Sequence, residues 1–307
     1  MARVMRNLCR GVASALVAIS ACLTVGVGVL LAMLALGSLG LFALAPTAAA
    51  AELDYPLAVA AAESGPIYLA DRNLPGVWKL DGENLTLLFQ ASKKFRTPLN
   101  AVRCVALDRD GKLLAGDSAT RDIYRFDDQG QPVALTKGEI GIPMAIATNK
   151  AGEIFVADLE VHVIWKVPAA GGKPEKFAAV PAPRGLAFDG QDRLWVVSHG
   201  KDQVVRLSPT AQQDIVVKGR PFQFPHNIVV ADDGAAAFVT DGYAKAVWKI
   251  GGDAEPQKLA EGDPLVNPVG LARRGADLLV ADPRAKAIVK IDAAGKPSVL
   301  TAKPAAK

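Results

Sequence analysis

Six copies of one pattern occupy residues 66–291, and that recurrence constrains the fold more than any other feature of the chain. They read PIYLADRNLPGVWKL (66–80), KLLAGDSATRDIYRF (112–126), EIFVADLEVHVIWKV (153–167), RLWVVSHGKDQVVRL (193–207), AAFVTDGYAKAVWKI (236–250) and DLLVADPRAKAIVKI (277–291). Each is an apolar run closing on an anchor residue, a short polar loop, and a second apolar run carrying a base. The anchors are Asp71, Asp117, Asp158, Ser198, Asp241 and Asp282, spaced by 46, 41, 40, 43 and 41 residues. Seven positions after each stands a large apolar residue: Trp78, Tyr124, Trp165, Val205, Trp248 and Val289. A base follows it every time: Lys79, Arg125, Lys166, Arg206, Lys249 and Lys290.

Upstream of each anchor a proline opens a further apolar run: Pro56, Pro98, Pro143, Pro183, Pro225 and Pro268. A weaker fourth run follows each unit, as in LTLLF (85–89) and EKFAAV (175–180). Runs of this length, broken by Gly and Asp turns, read as strands, and no convincing amphipathic helix appears. Four strands per repeat of about 40–45 residues is the period of a propeller blade. A lone blade leaves both faces bare; stacking blades radially buries them. The expectation is an all-β, six-bladed β-propeller with four antiparallel strands per blade over residues 52–301.

The repeating unit, a proline-led apolar strand, a Gly turn, V-A-D and then an apolar-aromatic-base strand, resembles the NHL repeat across essentially all of residues 52–301. The resemblance implies a propeller, and it implies no single activity, because propellers of this kind include enzymes, sensors and binding platforms.

Residues 1–51 differ from the rest. Arg3, Arg6 and Arg10 give a basic start, no charge follows until Glu52, and Gly11 to Leu44 is almost wholly apolar. This predicts a secretory signal peptide cut near Ala50 or Ala51, with an uncleaved N-terminal membrane anchor as the alternative. Both place the remainder outside the cytoplasm, secreted or periplasmic if cleaved and facing outward if anchored. Of Cys9, Cys22 and Cys104 only the last survives cleavage, so no internal disulfide is expected. The 35 basic and 31 acidic residues become 32 against 31 once the three leader arginines go. That balance excludes an electrostatic grip on nucleic acid. Residues 302–307 read as a disordered tail.

In a propeller the loop entering the inner strand and the loop after the anchor share one face, around the central funnel. The chain's three histidines, His162, His199 and His226, all map there. Three imidazoles are the minimum for a metal site with an open position, so they form a candidate Zn or Ca site. KGRPFQFPHN (218–227), followed by DGY (241–243), is the most unusual segment. It resembles two pieces of the peptidyl-hydroxyglycine amidating lyases, which implies His226 as a zinc ligand and Tyr243 as the catalytic tyrosine. The other Pro-His positions of those lyases fall on Leu99, Met144, Arg184 and Val269, so the full ligand set is absent. Asn227 resembles the cation-binding Asn of gluconolactonase-type propellers, whose Glu and Asp partners would fall near Ala58 and Val269 and are also missing.

Six near-identical anchors imply construction rather than catalysis. Ser198, followed at once by His199, is the position that breaks the rule, and Glu160 and His162 are the non-repeated part of their loop. The expected site is Arg184, His199, Arg220, His226, Asn227 and Tyr243. Its expected function is to bind a small molecule or protein at the funnel, with a metal-dependent hydrolase or lyase of the same fold as the alternative. Contact with a membrane is expected only through an uncleaved N-terminal segment.

Overall fold

The computed structural model describes residues 52–82, 84–92, 94, 96–251 and 255–300. Residues 1–51, expected to be a signal peptide or anchor, and residues 302–307, expected to be a tail, lie outside them. Within them are six four-stranded antiparallel sheets, each built from four consecutive strands. The blades span 56–90, 102–134, 143–179, 183–217, 225–261 and 270–299. Their inner strands pack side by side in a closed ring, the sixth against the first. Among the described residues there is no helix.

Every second strand ends on its anchor: Ile67–Asp71, Leu113–Asp117, Ile154–Asp158, Leu194–Ser198, Ala236–Asp241 and Asp277–Asp282. In blades 2, 3 and 4 all five residues of this strand are buried, because it is covered on both faces. Six apolar clusters result, one at each interface between neighbouring blades. Leu69, Ile164 and Val280 are fully enclosed in them. Burying each such side chain contributes about 1.5–3 kcal/mol.

The anchors interlock two loops. Asp158 accepts from the backbone of Gly141 (2.8 Å) and Ile142 (3.0 Å) in the incoming loop, from Glu160 N (3.0 Å) in its own loop, and from the Trp165 indole (2.9 Å). Asp71 does the same with Asp54, Tyr55, Asn73 and Leu74, and Asp282 with Val266, Asn267, Arg284 and Ala285. Burial alone would raise the pKa of Asp158, but these donors outweigh it and hold the carboxyl below its ordinary value. Four of the bases eight positions on make outer pairs: Arg125 with Asp108 (2.9 Å), Lys166 with Glu153 (2.8 Å), Arg206 with Asp214 (3.5 Å) and Lys290 with Asp277 (3.5 Å).

Blade 4 breaks the rule for a local reason. The donor that sits two residues before the proline in blades 1, 3, 5 and 6 (Asp54, Gly141, Gln223 and Val266) is replaced by Pro181, which has no N–H. Ser198 supplies the missing half of the bond: its hydroxyl donates to the Pro181 carbonyl at 2.6 Å and accepts from Gly200 N at 2.9 Å.

Two expectations need correction. Pro268 stands two residues ahead of its inner strand, Gly270–Arg274, rather than opening it. Pro98 does not open the inner strand of blade 2. That strand is Val102–Leu107, and Val102 pairs with Asp117 as Pro56 pairs with Asp71. The incoming loop of blade 2 is longer and turns Leu99 into the core, fully buried. The funnel position of blade 2 therefore belongs to Arg103, not Leu99.

Blades 1 and 6 are each one contiguous repeat, so no strand is shared across the closure. The joint is held by the cluster containing Leu53, Leu69, Leu279 and Ile288. Arg274 adds bonds to the carbonyls of Ala62 (3.0 Å), Gly65 (3.0 Å) and Pro66 (3.3 Å), and Lys286 pairs with Asp54 at 2.5 Å.

Ser198→Asp should lower stability by about 2–3 kcal/mol in urea denaturation, because the new carboxylate would meet the Pro181 carbonyl, to which the serine hydroxyl donates and a carboxylate cannot. Adding Pro181→Ala, which restores the N–H, should recover at least half of that loss. Equal stability of the single and double variants would disprove this account of blade 4.

Candidate functional site

Leu57, Arg103, Met144, Arg184 and His226 are the second residues of the first five inner strands, and Val269 stands just before the sixth. All six line a central cavity of ≈ 700 Å³. That is within the range of small-molecule sites, roughly 300–1,000 Å³.

Phe224, at the end of the blade 5 incoming loop, organises one side of the mouth. Asp241 holds it in place by accepting its backbone N–H at 2.8 Å. Tyr243 stacks on its ring, with centroids 4.7 Å apart and an interplanar angle of 21°. His199 and His226 meet it edge-on, at 4.5 and 4.9 Å. The Arg184 guanidinium lies over it at 5.6 Å. The DGY turn is close to the inner strands because Gly242 has no side chain. A Cβ there would come within 2.6 Å of Asn267 Oδ1 and 3.1 Å of His226 Nε2.

His226 is held strongly neutral: burial first, then the charges of Arg184 and His199, push its pKa down to about 3. Burial, and less so Arg184 and Arg220, also lower that of His199, against a raising effect from its bond to the Pro225 carbonyl. That bond runs from His199 Nε2 at 2.7 Å, and since a carbonyl only accepts, this nitrogen carries the proton.

The expected three-histidine set is not assembled. His162 is the fourth residue after its anchor, in the left-handed backbone region (φ 58°) and exposed. Arg121, Lys245 and Lys286 hold the same place in other blades with the same conformation. His162 is thus part of the repeated loop geometry. Its neighbour Glu160 is paired with Arg121 at 2.6 Å. Among the described residues no three His, Cys, Asp or Glu side chains group as a cation site. The mouth offers a dication two imidazoles, one already bonded, among several guanidiniums, and this donor set does not fit Zn or Ca.

Two other expected residues have local duties. Arg220 donates to the carbonyls of His199 (2.5 Å) and Gly200 (2.7 Å), so it pins the blade 4 loop. Asn227 lines the cavity, but its Oδ1 accepts from Ile228 N at 2.8 Å.

Arg184, His226 and Tyr243 do line the cavity, joined by residues the sequence reasoning passed over, Arg103 and Asn267. Four arginines line it (Arg103, Arg184, Arg273 and Arg284) against one carboxylate, Asp232, a balance of +3 with histidines neutral. Asp232 pairs with Arg273 at 3.1 Å. Among the described residues, Arg103, Arg184 and Arg284 have no carboxylate partner. Arg184 Nε is enclosed without an acceptor among the described residues. A signal for Arg103 was present: Pro98 stands nineteen residues before its anchor, where the other prolines stand fourteen to sixteen before theirs.

No protein-family model matches the chain. No protein of curated function matches it in sequence. Solved structures do. Virginiamycin B lyase from Staphylococcus aureus superposes with a TM-score of 0.63 at 15% identity, covering 82% of this chain and 87% of that one. A gluconolactonase from Xanthomonas campestris gives 0.63 at 16%, covering 76% and 84%. A chain of the nidogen/laminin complex gives 0.64 at 16%, covering 80% and 92%. What they share with this chain is the fold. All are six-bladed propellers, in keeping with a distant NHL-like repeat.

The neutral His226 couples the mouth to pH. Its folded pKa (about 3) is below its ordinary 6.5, so the unfolded state takes up the proton first and stability should fall as pH drops from 6.5 towards 3. Urea midpoints across that range should show a shallower decline for His226→Gln than for the wild-type chain. Parallel curves would show that the imidazole is not held neutral.

Proposed function

We propose that this chain is an exported binding propeller whose funnel mouth takes an anionic ligand, either a small molecule or an anionic group of a protein. One observation supports this above the others: Arg184 is half-buried, fixed over Phe224, and without a carboxylate partner among the described residues. An arginine remains charged under such burial, and a buried charge without a counter-ion is costly. An anion arriving from solvent removes that cost through charge-assisted, bidentate hydrogen bonds. Asn267, Tyr243 and the neutral His226 add uncharged polar contacts that suit orientation rather than charge. The basic, then apolar, N-terminal segment supports export, with anchoring at the outer face of the membrane as the alternative.

A metal-assisted hydrolase or lyase of the same fold is the second reading. Contact of both imidazoles with one ring favours it, and the surrounding guanidiniums oppose it.

Ligand-detected NMR with matched sets of anionic, neutral and cationic fragments should find binders chiefly in the anionic set. Arg184→Met should weaken them at least tenfold, with the thermal midpoint little changed. A dominance of neutral or cationic binders would overturn the proposal. Elemental analysis after dialysis against zinc and calcium is expected to show no stoichiometric metal. Metal at one equivalent, lost in His226→Ala, would favour the enzyme.

A further inference from the structure

We infer that the ligand is a small dianion with two carboxylate-like ends joined by a short apolar linker, one end on Arg184, the other on Arg103, and the linker across Met144. This rests on the anion-binding reading and specifies it. Arg103, Met144 and Arg184 occupy the same position on three successive inner strands, and all three line the cavity. The two guanidiniums are therefore separated by one neutral, adaptable thioether side chain.

Each cation is held from its own side. Arg103 Nε donates to Ser118 Oγ at 3.1 Å, and that hydroxyl donates on to the Ala101 carbonyl at 3.2 Å. Arg184 is held by Phe224, and since its Nε is enclosed, the nitrogens at its tip are the ones left for a ligand. The charges are also close enough to feel each other: after burial, Arg103 is the cause that lowers the proton affinity of Arg184. Two like charges across one residue, with no carboxylate against either among the described residues, are neutralised by two negative charges and only half neutralised by one. Linking two anionic groups makes the second contact intramolecular, which raises affinity well beyond that of either group. The apolar spacer is what Met144 can cover, and a cavity of ≈ 700 Å³ holds a ligand of this size.

Isothermal titration at constant ionic strength tests this with succinate, glutarate and adipate against butyrate, pentanoate and inorganic phosphate. The best dicarboxylate should bind at least tenfold more tightly than the monocarboxylates. Arg103→Met should bring it down to their level while leaving the monocarboxylates unchanged, and Arg184→Met should weaken both kinds. Thermal midpoints close to wild type would show that the variants are folded, as expected for the exposed Arg103. Monocarboxylates that bind as tightly as dicarboxylates, with no effect of Arg103→Met, would overturn the dianion and leave the anion site standing. Phosphate binding more tightly than every dicarboxylate would overturn the two-ended ligand. If no anion binds, both readings fall.

Discussion

A hydrogen-bonding anchor at the end of each second strand, a carboxylate in five blades and the Ser198 hydroxyl in the fourth, is the constraint on which the structure depends. Strand pairing makes a blade, and apolar packing joins one blade to the next, but neither sets where the funnel-facing loops lie. The anchor does. Where it is a carboxylate, its two oxygens collect N–H groups from the loop entering the blade and from the loop leaving the second strand, and so fix both at one height. In a site assembled from different blades that height matters more than any single contact. Phe224 illustrates this: its backbone is tied to Asp241, and its ring then positions Arg184, His199, His226 and Tyr243.

The fold could be read from the sequence because a six-fold register repeats the same physical problem six times. A strand covered on both faces needs apolar residues throughout, and a buried strand end needs a hydrogen-bonding side chain. Those demands appear as letters. The site was less legible because it is made where the repeats differ. Pro98 suggested a strand start, yet pairing follows the anchor, and the longer loop shifts the start to Val102. Prolines tolerate many loop positions, whereas a buried carboxylate must find its donors. His162 misled for the converse reason. It looked exceptional as a residue type, but its backbone does what Arg121, Lys245 and Lys286 do in their own blades. Ser198, the one break in the anchor rule, compensates for Pro181.

The electrostatics of the funnel contrast with those of the rim. On the rim and the outer strands, bases meet acids: Arg121 with Glu160, Lys286 with Asp54, Lys166 with Glu153. Inside the mouth that pattern stops. Three guanidiniums face the cavity without a carboxylate partner among the described residues, although the chain beyond its first 51 residues is close to charge balance. A chain with as many acids as bases, which still leaves these positions uncompensated, has its positive potential confined to one concave place. Such a place concentrates field lines and draws anions to it.

The closure of the ring has a further meaning. Because blades 1 and 6 are each a single uninterrupted repeat, the six joints are equivalent in kind, and the one between the sixth blade and the first is distinguished only by the lack of a connecting peptide. Leu53 and Leu300 pack in the same cluster, near the two ends of the described chain. The blades therefore form a cyclic sequence whose starting point is arbitrary. Joining those ends and cutting the chain in any other inter-blade loop leaves every strand pairing and every anchor within its own blade. This architecture is suited to circular permutation.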